Sequence, residues 1–449
     1  VVYTDEEALN KPQIKTLNLS STVTEIGDNA FRDVATLTTV DFTSESGLER
    51  IGNYAFSGAS LNSVPQMNYA AANGVSVGGY AFADNSELTS ITLYLDVVTL
   101  GTGAFENCVN VTEVILTAYD SAKSAASYPT VSADTFVNLG KNTAGVKVTV
   151  DNVVKMISNN IFYTNGSGNS AKITEVYLNK RAIASSPSDP NDFTHVENYE
   201  RVDELTIGNN AFRNIGSLTT LTFEGVEHSG FNYFRKITSV GSYAFYGTNL
   251  GGELLLHSEG GTAIGDYAFY ATDITVIKLY SNTTINRIGE YAFAECRALE
   301  GMTLIKDFPI YRMESGLKEL VYPVYTSTVM GKVGACAFQN AEKFNFDTMY
   351  PLFVSIGEYA FDGCSSLTNI GDLSHSNELT SVGAYAFRGT NINTVYSLST
   401  LPSDSTTEGA GSYVWTQKSP ATIALPDNTG MEIDPDAFSG MGGTVTVEQ

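Results

Sequence analysis

Positive charge is what this chain most lacks. Lysine and arginine number 25 against 49 aspartates and glutamates, a net charge of −24. So acidic a surface repels phosphate backbones and anionic lipid faces, which argues against nucleic acid as a partner. Only 16% of residues are charged, the mark of a solvated surface and not of a disordered acidic tail. Cysteine is nearly absent, with four in 449 residues. No Cys-x-x-Cys pair occurs, so the spacing of a zinc site is missing. The four histidines, His195, His228, His257 and His375, stand far apart, which removes the zinc-hydrolase pattern. No Gly-x-Ser-x-Gly elbow, Walker loop or Rossmann fingerprint is present. The stretch Asn165-Gly166-Ser167-Gly168-Asn169 reads as a turn and not as a phosphate cradle. Ser188–Asp192 gathers oxygen ligands, but the spacing fits no EF-hand loop and reads as a solvated loop. No run of 18 apolar residues occurs, so no helix of this chain is expected to span a membrane. The expectation is a non-enzymatic chain with no catalytic residue, no metal and no cofactor.

What is present is a repeat. Twelve Ala-Phe pairs end on Phe31, Phe56, Phe82, Phe105, Phe212, Phe245, Phe269, Phe293, Phe338, Phe361, Phe387 and Phe438, and weaker copies end on Phe136 and Phe162. Close copies lie 23 to 26 residues apart (Phe82 to Phe105 is 23, Phe56 to Phe82 is 26). Such a period means stacked supersecondary units and not a closed globule. Five residues before each phenylalanine stands an aliphatic residue, as at Ile26, Ile51, Val77 and Ile288. Glycine follows it in eleven copies, among them Gly52, Gly101 and Gly289, and predicts a sharp corner that needs an unusual backbone angle. Tyrosine fills the slot two before the phenylalanine in seven copies: Tyr54, Tyr80, Tyr243, Tyr267, Tyr291, Tyr359 and Tyr385.

A second element follows most phenylalanines by about six residues. Leu88-Thr-Ser-Ile91-Thr-Leu93 and Ile274-Thr-Val-Ile277-Lys-Leu279 are examples, and their apolar alternation predicts a short strand with one buried face. One such unit cannot bury its apolar side alone, whereas stacking sets each apolar residue over its equivalent in the next coil. Cys108, Cys296 and Cys364 all lie three residues after a repeat phenylalanine, and Cys336 lies two before one, which predicts burial in that interior. Five long intervals interrupt the period. Those from Phe162 to Phe212, Phe293 to Phe338 and Phe387 to Phe438 are near two periods and are candidates for hidden coils, with strands at Ile173–Leu178, Leu317–Tyr322 and Ile423–Leu425.

The unit Leu-Thr-x-Val-x-Leu … Val-x-x-Ile-Gly-x-Tyr-Ala-Phe-x-Gly-Cys resembles the BspA-like leucine-rich repeat, with Tyr359-Ala360-Phe361-Asp362-Gly363-Cys364-Ser365-Ser366-Leu367-Thr368 a close match. The resemblance implies a repeat solenoid, a largely β right-handed β/α superhelix of about 14–16 coils with parallel stacked strands. Residues 1–449 are then one domain, with a cap region at 1–20 and a terminal repeat and cap at 431–449. It further implies an exported or cell-surface protein that binds a host or microbial surface protein, acting as a monomer. The chain opens Val1-Val2-Tyr3-Thr4-Asp5, which reads as a trimmed or mature form, so an export signal and a lipid anchor are expected outside it.

The sheet surface of such a scaffold is its usual binding face. The residues expected there alternate with the core leucines: Thr38, Thr89, Thr92, Thr112, Glu113, Thr174, Tyr177, Thr219, Thr222, Thr275 and Lys278. Threonine rows also favour strand geometry for its own sake. The tyrosine row has two readings, a binding strip or packed structure. Inserted loops at Tyr119–Thr130, Asn179–Tyr199, Glu224–Lys236, Lys306–Gly316 and Leu401–Ser419 are candidates for specificity. Trp415, the one tryptophan, is either an anchor there or the cover of a degenerate coil. Hydroxyls and tyrosines suit a protein loop or a glycan better than a phosphate. A glycan-binding module and a spacer without its own ligand remain the alternatives.

Overall fold

The computed structural model describes residues 13–42, 47–65, 74–120, 123–165, 170–178, 204–223, 226–228, 231–233, 236–256, 261–280, 284–305, 310–314, 317–321, 328–346, 351–370, 373, 378–393, 395–400, 413–418, 421–425, 431–441 and 445–448. They fall into two compact units, one made of Val1–Val226, Tyr233–Arg235 and Ala244–Leu250, the other of the remaining residues. Helix is nearly absent among the described residues, a 3-10 turn at Ala125–Ser127 being the exception.

Each coil has three sides. The front side is the Leu-Thr-x-Val strand. In the first unit Ser90–Tyr94, Glu113–Thr117, Val146–Val150, Ile173–Leu178 and Thr220–Phe223 form one parallel sheet in that order. In the second unit the equivalent sheet runs Gly251–Leu256, Asp273–Tyr280, Gly301–Ile305, Asn345–Phe346. The back side is the short strand ending in the aliphatic residue before glycine. It stacks in parallel through Glu25–Ile26, Arg50–Ile51, Val75–Val77 and Val98–Leu100 in the first unit. In the second unit it stacks through Lys236–Val240, Thr262–Ile264, Ile285–Ile288, Thr328–Val333, Pro351–Ile356, Ser381–Val382 and Glu432–Ile433.

The third side is the Ala-Phe turn, and it carries a hydrogen-bond ladder of its own. The amides of Tyr54, Phe56 and Gly58 donate to the carbonyls of Gly79, Ala81 and Ala83 in the next coil at 3.0, 2.8 and 2.9 Å. The intervening amides of Ala55, Ser57 and Ala59 close turns within their own coil onto Gly52, Tyr54 and Phe56. Alternate amides thus serve alternate coils, and the buried backbone is satisfied without a β-strand. The price in torsion falls on two slots that flank the phenylalanine. Two residues before it, φ is positive at Asn29, Tyr54, Tyr80, Gly103, Asp134, Asn160, Asn210, Tyr243, Tyr267, Tyr291, Cys336, Tyr359 and Tyr385. Two residues after it, the same holds in most coils, among them Asp33, Gly58, Ala271, Glu295 and Gly440. A left-handed L-residue costs about 1–2 kcal/mol.

The glycine expected to make the corner works differently. Gly52, Gly78, Gly101, Gly289 and Gly334 do not have left-handed backbone; instead a Cβ on Gly78, Gly101 or Gly334 would stand 2.7 Å from a backbone nitrogen of the preceding coil. Glycine is required because two backbones approach there. Gly27, in the first described coil, would meet nothing within 4 Å.

Phenylalanine builds the interior. From Phe31 to Phe245 successive rings in the first unit lie 5.4, 5.5, 5.3, 5.4, 5.0, 5.4 and 5.3 Å apart. In the second unit the rings from Phe269 through Phe293, Phe338, Phe361 and Phe387 to Phe438 lie 5.2, 5.4, 5.2, 5.5 and 5.6 Å apart. Burying each such side chain contributes about 1.5–3 kcal/mol. The thiols three residues on serve the same interior: Sγ of Cys108, Cys296 and Cys364 donates to the carbonyl of Phe82, Phe269 and Phe338 at 3.3, 3.0 and 3.1 Å. All four cysteines are free and buried.

These stacks correct the hidden-coil expectation. Phe162 lies directly on Phe212, Phe293 on Phe338 and Phe387 on Phe438, so each long interval is one coil with an insertion. The backbone agrees, with Ile157 opposite Ile207, Ile288 opposite Val333 and Val382 opposite Ile433. Ile173–Leu178 is the front strand of its own coil. Leu317–Val321 instead forms an antiparallel hairpin with Ile310–Glu314, and Val395–Thr400 forms another with Tyr413–Lys418. Ala421–Ala424 pairs in parallel with Val445–Glu448.

Candidate functional site

Because side chains alternate along a strand, the front sheet of the first unit presents two outward rows. Backbone register aligns Ser90, Glu113, Lys147, Glu175 and Thr220 in one row, and Thr92, Ile115, Thr149, Tyr177 and Thr222 in the other. The first row alternates in charge, Lys147 standing between Glu113 and Glu175. Lys147 Nζ lies 4.0 Å from the Tyr177 ring centroid. Thr149 donates to Glu113 Oε1 at 3.4 Å, and Thr222 to Glu175 Oε1 at 3.0 Å. Charged, aromatic and hydroxyl groups therefore hold one another in place, half-buried, on a sheet whose other face is core.

Thr92, Glu113, Tyr177 and Thr222 all join this surface. Thr112, Thr174 and Thr219 sit at the strand entries, where their hydroxyls donate to the carbonyls of Thr89, Val146 and Thr174 in the preceding coil at 3.2, 3.5 and 3.4 Å. Thr38 does the same to Lys15 and Thr275 to Gly252, at 3.2 and 3.1 Å. Thr89 is exposed at the start of the strand edge. Thr38 directly precedes a separate two-stranded pairing of Thr16–Leu19 with Thr39–Phe42. Thr275 and Lys278 belong to the second unit, where Lys278 pairs with Glu253 at 2.6 Å. Trp415 lies in Tyr413–Lys418, opposite Leu398, on the antiparallel hairpin. The insertion at 179–199 and His195, His257 and His375 lie outside the described residues.

Lys147 and Thr149 are functional candidates that the repeat pattern misses. Their strand, Val146-Lys-Val-Thr-Val150, lacks the Leu-Thr lead-in, although its strict alternation is a strand signal in itself. The insertion after Thr117 is fastened rather than loose. Asp96, 1% exposed, accepts the amides of Tyr119 and Asp120 at 2.7 and 2.8 Å, and Lys123 Nζ donates to the Asp96 carbonyl at 2.8 Å. This leaves Tyr119 52% exposed on a fixed backbone.

On the turn side the tyrosines form half-buried stacks, Tyr54 on Tyr80 at 4.9 Å, Tyr243 on Tyr267 at 5.0 Å, Tyr267 on Tyr291 at 4.8 Å and Tyr359 on Tyr385 at 5.3 Å. A bond to the Cys336 thiol pushes the Tyr291 phenol up to about 12. Burial pushes the thiols of Cys108 and Cys296 up to about 12 and about 11. Among the described residues no group of three potential ligands could hold a metal ion, and no helix is long and apolar enough to cross a membrane.

The family model described as BspA type leucine rich repeat region matches residues 4–129, 206–314 and 331–447, in six copies. No curated protein matches the chain. Among solved structures, a leucine-rich repeat protein from Bacteroides ovatus is 16% identical over 97% of this chain and 92% of that one, with a TM-score of 0.42. One from Eubacterium ventriosum is 15% identical over 89% and 87%, with a TM-score of 0.32. The pneumococcal vaccine antigen PcpA is 14% identical over 97% and 79%, with a TM-score of 0.34.

Proposed function

Since the chain belongs to the BspA-type leucine-rich repeat family, we propose that it is a secreted or cell-surface binding protein, non-enzymatic, that recognises a protein on a host or microbial surface. Recognition falls to the front sheet of the first unit and the fastened insertion beside it. The observation that carries this reading is the three neighbouring pairs Thr149–Glu113, Lys147–Tyr177 and Thr222–Glu175 on one sheet face. These side chains are already ordered, so little ordering cost opposes association. In this reading residues 1–449 act as one monomeric module that works at the cell surface.

Beads coated with the protein test it on epithelial and bacterial cells. Coated beads should adhere, and the double substitution Tyr177→Ala and Lys147→Ala should abolish most of the adhesion without lowering the melting temperature. Adhesion unchanged by that pair would remove the front sheet from the reading. Tyr177 and Tyr119 also support a glycan as ligand, because their rings can stack on sugar faces; signal on a glycan array that the same pair removes would favour it. A chain that adheres to neither is the spacer.

A further inference from the structure

The tyrosine row breaks at Gly103. Tyr54 and Tyr80 stack, but the next coil places Gly103 in their slot and the one after places Asp134 there. Tyr80 leans over the glycine, and a Cβ on Gly103 would stand 2.5 Å from its Cδ1. Glu106 follows on the same coil as Gly103. Its carboxyl is held above the ordinary range by burial first and then by Asp84 and Asp134. Burial, then Glu106, Tyr54 and Asp134 raise the Tyr80 phenol. Among the described residues no lysine or arginine pairs with Glu106, Asp84 or Asp134. Asp84 accepts Asn107 Nδ2 at 2.9 Å, and Asp134 accepts the amide and Nδ2 of Asn165 at 2.6 and 2.7 Å. Acids in the same slots elsewhere are met by arginine: Asp362, in the slot of Glu106, by Arg388, and Asp33 and Glu295, in the slot of Asp84, by Arg32 and Arg297.

The molecule itself shows which group suits such a place. At the other end of the same two-ring stack, Arg32 lies 4.8 Å from the Tyr54 centroid. Arg388 lies 4.9 and 5.5 Å from the Tyr359 and Tyr385 rings while its Nε and Nη2 donate to the two oxygens of Asp362 at 2.8 and 2.7 Å. A guanidinium is planar and weakly hydrated, so it can stack on a ring and pair with a carboxylate at once. No metal explanation competes, because the three carboxylates do not converge as a ligand set.

We infer that the surface of Tyr80, Gly103, Glu106 and Asp134 binds an arginine side chain presented by an exposed segment of a cationic protein partner. The guanidinium stacks on Tyr80 in the place left by the missing ring and pairs with Glu106, relieving the like charges gathered there. The site is on the turn side of three successive coils and does not depend on the front-sheet reading.

The test uses the full chain and a fluorescein-labelled glycine-serine peptide carrying three arginines, with its citrulline counterpart, followed by anisotropy at low salt. The arginine peptide should bind and the citrulline peptide should not. Glu106→Gln and Tyr80→Asn should each weaken binding roughly threefold to fivefold, the range of one exposed cation–π contact or ion pair. Asparagine suits that slot, since Asn160 and Asn210 occupy it at φ 58° and 54°. Glu342→Gln removes the same charge from the second unit and should leave binding unchanged. Equal weakening by Glu342→Gln and Glu106→Gln would reduce the effect to general attraction and overturn the site. So would citrulline binding as well as arginine, or no binding at all. If Tyr80→Asn melts early, Glu106→Gln alone decides.

Discussion

The turn side and the front side of each coil treat insertions in opposite ways. On the turn side nothing interrupts the ring ladder within either unit: Phe162 meets Phe212 across 50 residues of sequence as closely as Phe82 meets Phe105 across 23. The front side absorbs the difference, with the hairpin at 310–321 leaving the chain between one front strand and the next back strand. The turn can be so constant because aromatic packing, a private backbone ladder and a glycine too close to its neighbour all act at one place. The front can vary because its outward residues are constrained only by one another. Continuity and variability are thus assigned to different sides of the same coil.

Truncating the ladder should have the largest effect. Phe269→Ala is expected to cost about 3–5 kcal/mol, measured by urea unfolding, as for other buried aromatic truncations. Next come the glycines. Gly289→Ala places a Cβ 2.5 Å from the Asp266 amide nitrogen and should cost about 1–3 kcal/mol, while Gly27→Ala should be nearly silent. Equal effects at the two positions would restore a purely torsional role for the glycine.

The buried thiols give a pH signature. Their folded values, about 12 for Cys108 and about 11 for Cys296, lie above the ordinary value of 9.0, so the folded state holds protons that the unfolded chain releases. Stability is therefore complete below pH 9 and declines as pH rises from there towards 11 and 12. Replacing both residues with alanine should flatten that decline in denaturant midpoints taken across the alkaline range. An unchanged slope would point to other groups.

The front side and the flanking torsions should respond least. Thr275→Ala removes one hydroxyl-to-carbonyl bond and should cost about 0.5–1 kcal/mol or less. Ala271→Gly should stabilise the fold by roughly 0.5–1 kcal/mol, because Ala271 sits at φ 55° in a slot that most other coils fill with glycine, asparagine or aspartate. A melting temperature that falls in Ala271→Gly would contradict the torsional account.

The period, the buried phenylalanines, the buried cysteines and the parallel strands were all legible in the sequence, because stacking forces the same chemistry to return at the same slot. Two things were not. A glycine that permits backbone approach and a glycine that permits positive φ look alike in one dimension, and many of the left-handed slots are occupied by tyrosine, asparagine and aspartate, whose side chains distract from their backbone role. Intervals of 50, 45 and 51 residues also imitate two periods numerically, and only contacts between coils, ring on ring and strand on strand, distinguish one long coil from two short ones. The arginine site was invisible for a related reason. Tyr80 and Asp134 share a slot that Glu106 does not, each stands in a different coil, and only the lateral order of the coils sets them side by side.

The central claim is that each long interval is one coil, and a paired substitution tests it directly. Asn160 and Asn210 occupy the same slot of adjacent coils, with Asn210 Nδ2 donating to Asn160 Oδ1 at 3.0 Å. Adjacent coils are about 4.8 Å apart, within disulfide reach, whereas an intervening coil would put them about 9.6 Å apart and out of reach. Under mild oxidation the double variant Asn160→Cys and Asn210→Cys should form that disulfide quantitatively, read by the mass loss of two hydrogen atoms and by peptide mapping. Two thiols that remain free in the folded, oxidised protein would mean that a coil lies between them, and the ladder would have to be rebuilt.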